Sequence, residues 1–162
     1  MPQNSPKDLS LYRPNVGIML LNKEGKVFVA QRLDSPGPAW QMPQGGIDEG
    51  EDYQAAALRE LEEETSISHV EILKESEDWY IYDLPPELQE KIWGGEYLGQ
   101  RQKWFLMRYL GEDSDVNLET PHPEFSAWKW VEPSGLASLA VPFKLDIYQA
   151  LVKDFLSRGT YS

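Results

Sequence analysis

The chain has 162 residues, of which 41% are hydrophobic and 26% are charged, and this length and composition predict one globular domain spanning residues 1–162. A formal net charge of −12 argues against broad, sequence-independent binding to nucleic acid, because such binding depends on Lys and Arg. The absence of cysteine excludes disulfides, thiolate metal sites and a cysteine nucleophile, and it favours a reducing compartment such as the cytoplasm.

The first predicted elements are two apolar strands joined by a polar connection. Residues 15–21 and 27–32 are apolar runs, and residues 22–25 between them end in Gly, so this segment predicts a β-hairpin. The run 16–21 is far shorter than the about 20 residues that a membrane-spanning helix needs. The N-terminus also lacks the apolar core of a secretory signal. We therefore expect neither a membrane segment nor a leader.

A long helix and a second group of strands are predicted next. Residues 52–65 favour a helix, and Asp52 is suited to cap its N-terminus. The later strands are predicted at 70–73, 79–84, 102–110 and 126–131, and a C-terminal helix at 143–156 has Pro142 directly before it as a start signal. Strands mixed with two main helices predict an α+β fold in which helices cover a mixed sheet.

The first predicted helix carries a concentration of negative charge. At about 100° per residue, Glu60, Glu63 and Glu64 project from one sector, whereas Glu62 points to the opposite side. Carboxylates at this spacing repel one another, and near a helix C-terminus they also oppose the helix dipole. A hard cation such as Mg²⁺ would relieve the repulsion because it takes oxygen ligands. These residues alone leave two interpretations open, a metal site and a solvated acidic face.

The spacing of residues around these glutamates resembles the signature of the Nudix hydrolases. The matching pattern is Gly45, five residues, Glu51, seven residues, Arg59-Glu60, apolar Leu61, one residue, Glu63-Glu64, one residue, Ser66 and apolar Ile67. The one exception is Ser66, where the family pattern has Gly. Because Gly suits a left-handed helix end, Ser66 predicts either a strained turn or a different geometry. We expect this difference to affect stability more than chemistry.

The likeness extends over residues 11–156. The segments 12–17, 40–46, 99–105, 123–125 and 143–144 resemble the branch that contains diadenosine tetraphosphate hydrolases and bacterial RNA pyrophosphohydrolases. The resemblance implies an α/β/α sandwich with a mixed central sheet. It also implies two or more divalent ions, Mg²⁺ or Mn²⁺, that bridge a diphosphate and activate the water that attacks phosphorus.

The resemblance further implies roles for individual residues. Glu60, Glu63, Glu64 and Glu124 are expected to ligate metal, and any of these carboxylates can be the general base. Arg59 is expected to orient the glutamates through charge-assisted hydrogen bonds, and Glu51 is expected to be structural. The candidates for phosphate contacts are Arg13, Arg32, Lys103 and Lys144, and the candidates for holding a base are Tyr82 and Phe143. The alternatives are surface salt bridges for the cations and core packing for Phe143.

Three functions follow from this resemblance. The leading hypothesis is a Mg²⁺-dependent hydrolase that cleaves diadenosine tetraphosphate to ATP and AMP, because residues 34–36, 47–51 and 82–86 look closer to the dinucleotide hydrolases. The alternative enzyme removes pyrophosphate from triphosphorylated 5′ ends of RNA. The net charge of −12 disfavours a long RNA partner but is compatible with contacts to the first two nucleotides. A non-catalytic module that binds nucleotide or a protein partner is the third hypothesis.

Overall fold

The secondary structure is taken from a computed structural model, which describes residues 8–33, 39–89, 91, 93–121, 123–140 and 144–156. The strands of this part of the chain are β1 (Tyr12–Leu21), β2 (Val27–Arg32), β3 (Gln44–Gly46), β4 (Val70–Glu75), β5 (Tyr80–Asp83), β6 (Gly99–Tyr109) and β7 (Phe125–Val131), and its helices are α1 (Tyr53–Thr65), α2 (Pro86–Gln89), α3 (Leu136–Leu139) and α4 (Leu145–Leu156). None of the described helices combines the length and the hydropathy needed to cross a bilayer.

The strands form one mixed sheet around a long parallel pair. β1 and β6 are parallel, from Tyr12 opposite Gly99 to Leu21 opposite Arg108. Beyond β1, the sheet continues with β2 and then β7, each antiparallel to its neighbour. On the other edge of β6, β5 and β4 pair antiparallel with successive parts of the strand. β3 pairs antiparallel with the first half of β1. The predicted α+β fold with a mixed central sheet is confirmed.

Helices cover both faces of this sheet because its central strands are buried on both sides. On one face, Leu61 of α1 belongs to a core cluster that contains Phe105 of β6. On the opposite face, the ring of Tyr148 in α4 meets the indole of Trp104 edge-on, with ring centroids 6.2 Å apart. The two clusters make an α/β/α sandwich, as the sequence resemblance implied.

The strands and the two main helices predicted from the sequence are present, whereas β3, α2 and α3 were not predicted. The hairpin of β1 and β2 is present, and α1 has Asp52 as its N-cap, whose carboxylate accepts a hydrogen bond from the Ala55 amide at 3.0 Å. β3 was missed because its sequence, Gln-Gly-Gly, favours no strand and pairs only through the tertiary fold. β6 begins at Gly99, three residues earlier than predicted, because polar residues there pair with β1 and β5. Pro142 lies outside the described residues.

The C-terminal end of α1 has a left-handed backbone at Ser66, with φ of 67° and ψ of 10°. Among the residues that the structure describes, Ser66 alone has a positive φ without being Gly. Its amide still donates to the Glu62 carbonyl at 2.9 Å, and its hydroxyl donates to the Asn117 carbonyl at 2.8 Å. The strained turn is therefore the correct one of the two expected alternatives, and the hydroxyl contact partly offsets the strain.

Two substitutions at Ser66 separate the backbone strain from the hydroxyl contact. Ser66→Ala loses the bond to Asn117 and keeps a Cβ in the left-handed region, so its free energy of unfolding is expected to fall by about 1 kcal/mol. Ser66→Gly loses the same bond but relieves the strain, so it is expected to be about 1 kcal/mol more stable than Ser66→Ala. Urea unfolding followed by circular dichroism measures both values. Equal stability of the two variants would show that the turn carries no strain.

Candidate active site

An open cavity of about 730 Å³ lies where α1 meets β3 and the first half of β1. Its lining combines a group of carboxylates, which we call the acidic side, with cations and buried amides, which we call the cationic side, and the charge of Arg32 acts on both Glu64 and Lys144. The sequence-predicted residues that it brings together are Arg13, Arg32, Glu60, Glu64, Tyr82, Glu124 and Lys144. The predicted site is thus assembled from β1, β2, α1, β5, the segment before β7 and the residue before α4.

Three carboxylates converge at the acidic side of this cavity. Glu60 and Glu64 are one helical turn apart on α1, and Glu124 directly precedes β7. One carboxylate oxygen from each lies within 4.8 Å of the other two. Glu64 is only 3% exposed, and its Oε1 has no hydrogen-bond partner among the described residues. A cluster of oxygens with an unsatisfied buried acceptor fits a hard divalent cation.

The electrostatics of these carboxylates reflect their crowding. Burial raises the pKa of Glu64 to about 10, and a hydrogen bond with Glu124 adds to the increase. Burial also raises the pKa of Glu60 to about 7, against the opposing effect of Arg59. Protonation is therefore favoured when no cation compensates the negative charge. A divalent ion would reverse this preference, because its charge stabilises the ionised ligands.

Arg59 connects the segment before α1 to the acidic side of the cavity. Its Nε and Nη2 donate to the two carboxylate oxygens of Glu51 at 2.8 and 2.9 Å. Its Nη1 donates to Glu60 and to Glu63, each at 3.1 Å, and Nη2 also reaches the Gly46 carbonyl at 3.0 Å. The hydrogen bonds from Arg59 are the main reason that the pKa of Glu51 is lowered to about 2. The guanidinium thus holds carboxylates in place, and its N–H groups donate to protein acceptors.

Glu63 occupies a different position from the other two helix glutamates. Its carboxylate accepts from Arg59, and its side chain is 59% exposed. Among the described residues, the converging group consists of Glu60, Glu64 and Glu124 and does not include Glu63. A helical wheel places all three helix glutamates in one sector, but only the pair four residues apart faces the cavity. The role of Glu63 as a metal ligand stays a prediction.

Glycine allows the backbone of β3 to lie directly against these side chains. A Cβ on Gly45 would collide with the carboxyl group of Glu60. A Cβ on Gly46 would lie 2.7 Å from Nη2 of Arg13. The two glycines therefore let one carboxylate and one guanidinium reach the same wall of the cavity.

Lys144 and Tyr82 lie together at the cationic side. The Lys144 ammonium donates to Oε1 of Gln44 at 3.1 Å and lies 5.9 Å from the centroid of the Tyr82 ring. The Tyr82 hydroxyl accepts a hydrogen bond from Nε2 of Gln100 at 2.6 Å, and Tyr82 is only 7% exposed. Phe143, the other predicted base-holding residue, lies outside the described residues. The use of Tyr82 for base stacking stays a prediction.

Lys103 does not reach the cavity with the other predicted cations. Alternate residues of a strand point to opposite faces, so Lys103 shares a face of β6 with Arg101 and points away from Gln100 and Gln102. Its ammonium donates to the Glu77 carbonyl at 2.9 Å and lies 5.4 Å from the centroid of the Trp79 ring. It is absent from the described lining of the cavity. The placement disfavours Lys103 as a phosphate contact.

Sequence reasoning missed a group of polar residues beside the cavity. Asn15, Gln100 and Gln102 are 2%, 5% and 1% exposed, and Gln44 adjoins them. The available signal was the presence of amides within strands that are otherwise apolar. Because buried polar groups need partners, such amides indicate a hydrogen-bonded network or a ligand.

The sequence of the chain matches a known protein family and several named relatives. The NUDIX domain family matches residues 11–151. A protein named RNA pyrophosphohydrolase from Cereibacter sphaeroides (strain ATCC 17029 / ATH 2.4.9) is 57% identical over 146 residues, which are 89% of this chain and 90% of the relative. One of the same name from Dinoroseobacter shibae (strain DSM 16493 / NCIMB 14021 / DFL 12) is 52% identical over 155 residues, which are 93% of this chain and 97% of the relative.

Solved structures support the fold. The dihydroneopterin triphosphate pyrophosphohydrolase of E. coli superposes with a TM-score of 0.72 at 20% identity, covering 92% of this chain and 99% of the other. A binary complex of the C. elegans Ap4A hydrolase has a TM-score of 0.63 at 23% identity, covering 88% of this chain and 98% of the other. At this level of identity the likeness shows the architecture alone.

Binding of divalent ions tests the group formed by Glu60, Glu64 and Glu124. Mg²⁺ or Mn²⁺ is expected to raise the Tm of the wild-type protein, because an ion that binds only the folded state stabilises it. Glu64→Gln is expected to lose most of this rise, since it removes a buried ligand. Scanning fluorimetry with and without each ion gives the shifts, and a wild-type Tm that responds to neither ion would contradict the metal site.

Two further variants on α1 serve as matched controls. Glu62→Gln removes an exposed carboxylate from the opposite side of the same helix, so it is expected to keep the full shift in Tm. Glu63→Gln tests the residue bound to Arg59: loss of the shift would make Glu63 a ligand, and retention would leave it an orienting partner. An equal loss in Glu62→Gln would mean that the shift reflects general charge screening.

Proposed function

The chain belongs to the Nudix hydrolase family, and we propose that it is an RNA pyrophosphohydrolase that removes pyrophosphate from the triphosphorylated 5′ end of RNA. The observation that carries the proposal is the 52–57% identity, over most of both chains, to proteins of that name. The comparison favours the second of the hypotheses drawn from the sequence over the first. Cleavage of diadenosine tetraphosphate is supported only by short sequence segments, since the likeness to the C. elegans hydrolase extends to the fold alone.

The distribution of charge in the cavity suits a 5′-triphosphate. Glu60, Glu64 and Glu124 form the acidic side, and Arg13, Arg32 and Lys144 line the remainder. A triphosphate carries several negative charges along a short chain, so it needs positive charge at more than one point. The cations would bind one part of the chain, and divalent ions at the carboxylates would bind the rest.

In this mechanism the protein positions the reacting groups. Glu60, Glu64 and Glu124 would hold the divalent ions, and Arg59 keeps Glu60 oriented through its hydrogen bond at 3.1 Å. When bound, these ions supply the positive charge that neutralises the phosphoryl oxygens and activates the attacking water. Lys144 and the two arginines would fix the triphosphate so that the phosphorus under attack faces the carboxylates.

The overall charge of the protein restricts how RNA binds. A net charge of −12 repels the phosphates of a long strand, whereas the cavity presents local cations. We therefore propose that contacts are limited to the 5′ end and do not extend over a broad nucleic-acid surface. The cytoplasm, expected from the absence of cysteine, is the corresponding location for bacterial transcripts.

A comparison of the rates with two substrates tests the proposed function. Triphosphorylated RNA and diadenosine tetraphosphate are supplied separately at equal concentration with Mg²⁺, and the products are separated by chromatography. We expect faster conversion of the RNA to its monophosphorylated form, and Glu64→Gln is expected to lose this activity while remaining folded. Faster release of ATP and AMP from the dinucleotide would contradict the proposal. Turnover of neither substrate would favour a non-catalytic module.

The pH dependence of the reaction tests the role of Lys144. Burial lowers the pKa of Lys144 to about 8, and the charge of Arg32 adds to this effect. As the pH rises through about 8, the ammonium loses its proton and no longer attracts phosphate, so kcat/KM is expected to fall. The other charged and titratable groups described in the same cavity are Arg13, Arg32, Glu60, Glu64, Tyr82 and Glu124.

A charge-preserving substitution is the control for this profile. Lys144→Arg keeps its positive charge far above pH 8, so its kcat/KM is expected to lack the fall. Rates are measured between about pH 6 and 10 at substrate concentrations below KM. The same fall in Lys144→Arg would assign the titration to another group.

A further inference from the structure

A chain of hydrogen bonds leads from the core of the sheet to the cavity. Nε1 of Trp104 donates to Oε1 of Gln102 at 3.1 Å. Nε2 of Gln102 donates to Oδ1 of Asn15 at 2.9 Å and to Oε1 of Gln44 at 3.2 Å. The same Gln44 oxygen accepts from the Lys144 ammonium at 3.1 Å. We call Trp104, Gln102 and Gln44 the amide relay.

The chemistry of its two ends determines the orientation of the amide relay. An indole N–H can only donate, so Gln102 must present its oxygen to Trp104 and its NH₂ group to Asn15 and Gln44. The ammonium of Lys144 is also only a donor, so Gln44 must present an oxygen to it. The two requirements agree, because Gln44 meets both Gln102 and Lys144 with the same oxygen. Rotation of either amide would bring two donors together.

Packing holds the start of the amide relay in place. Trp104 is fully buried, and a Cβ on Gly17 would lie 2.5 Å from its indole. The ring of Tyr148 also packs edge-on with the indole, and the Tyr148 hydroxyl accepts from the amide of Met42, two residues before Gln44, at 2.9 Å. Gln102 is only 1% exposed. An indole enclosed in this way has one accessible rotamer, so the direction of the Trp104 N–H is fixed.

Among the described residues that line the cavity, Gln44 and Lys144 are present, whereas Gln102 and Trp104 are not. We propose that Gln102 and Trp104 are positioning residues, which turn the Gln44 oxygen towards Lys144 and so hold the Lys144 ammonium where a substrate phosphate meets it. This inference rests on the proposed function for the identity of that substrate. If the amide relay is broken, Gln44 keeps its contacts to Lys144 and to Tyr82 but loses the bond that fixes its amide from the core, so the ammonium is held in a less defined position.

The test replaces Gln102 by a residue of similar size without hydrogen-bonding groups. Gln102→Met is expected to raise the KM for triphosphorylated RNA about tenfold and to leave kcat within about twofold, because a charge-assisted contact to phosphate is weakened. Trp104→Phe removes the indole donor and keeps an aromatic ring, and it is expected to change KM in the same direction. An unchanged KM in both folded variants would overturn the proposal.

A double-mutant cycle with Lys144 distinguishes positioning from a general loss of stability. Lys144→Met alone is expected to raise KM at least as much as Gln102→Met. In the Lys144→Met background, Gln102→Met is expected to have no further effect on KM, since the group that it positions is gone. If the two changes in KM multiply instead, Gln102 does not act through Lys144 and the proposal is wrong.

Ser76 provides a matched control that contacts the same tryptophan. The Ser76 hydroxyl accepts from the backbone amide of Trp104 at 3.0 Å, and the residue is only 6% exposed. Ser76→Ala removes this buried hydrogen bond and leaves the amide relay intact, so Tm is expected to fall while KM is unchanged. An increase in KM equal to that of Gln102→Met would assign the effect to core packing.

The same cycle remains informative if the proposed function is wrong. The wild-type preference between RNA and diadenosine tetraphosphate tests the function, and the coupling between Gln102 and Lys144 tests the amide relay. Both substrates present phosphates to the ammonium, so the cycle is run with the one that the wild type hydrolyses faster. Absence of coupling with that substrate would overturn the positioning role regardless of the substrate preference.

Discussion

The burial of Glu64 beside two other carboxylates is the constraint on which the arrangement of the cavity depends. An exposed like-charge pair on a helix costs only a few tenths of a kcal/mol, whereas an uncompensated buried charge costs several. Burial raises the pKa of Glu64 to about 10 although the charge of Arg32 lowers it, and one oxygen of Glu64 lacks a partner among the described residues. Such a cluster fits a cation, and the charge of a divalent ion would stabilise the ionised form of its carboxylates.

Arg59 reduces the repulsion between Glu60 and Glu63, and it does so without lying among the converging oxygens of Glu60, Glu64 and Glu124. Its guanidinium donates two hydrogen bonds to Glu51 and one each to Glu60 and Glu63. The planar fork of an arginine can hold several carboxylates at once, which a lysine cannot do with the same geometry. Glu60 is thus shared between the guanidinium and the cavity, and it keeps a defined orientation before any ligand binds.

Periodicity and capping made the acidic helix predictable, because α1 is specified by local residues. Asp52 caps it, and the residues four apart, Glu60 and Glu64, face one direction as an ideal helix requires. Contacts made by the tertiary fold were not predictable in this way. The strand β3 exists only through pairing with β1, and its glycines are needed only because side chains from α1 and β1 approach it.

The placement of Lys103 also depends on the tertiary fold and could not be predicted from the sequence of its own strand. The alternation of β6 puts Lys103 on the opposite face from Gln100, which lines the cavity, but only the pairing with β1 decides which face of the strand is turned towards the cavity. The amide relay also required the structure, because its members come from two strands, β3 and β6, and its direction depends on contacts between them. Local patterns therefore identify the acidic helix α1, whereas the cationic side of the site is a property of the assembled sheet.

Substrate choice in such a cavity depends on groups beyond the phosphates. A 5′-triphosphate of RNA and the polyphosphate of a dinucleotide would present the same kind of oxygens to Arg13, Arg32 and Lys144, so the positive charge of the cavity suits both. A net charge of −12 repels additional phosphates, and this repulsion grows with each nucleotide that approaches the surface. Under the proposed function an RNA would be bound by its end, where the attraction between the triphosphate and the cations of the cavity outweighs the repulsion that the rest of the strand experiences.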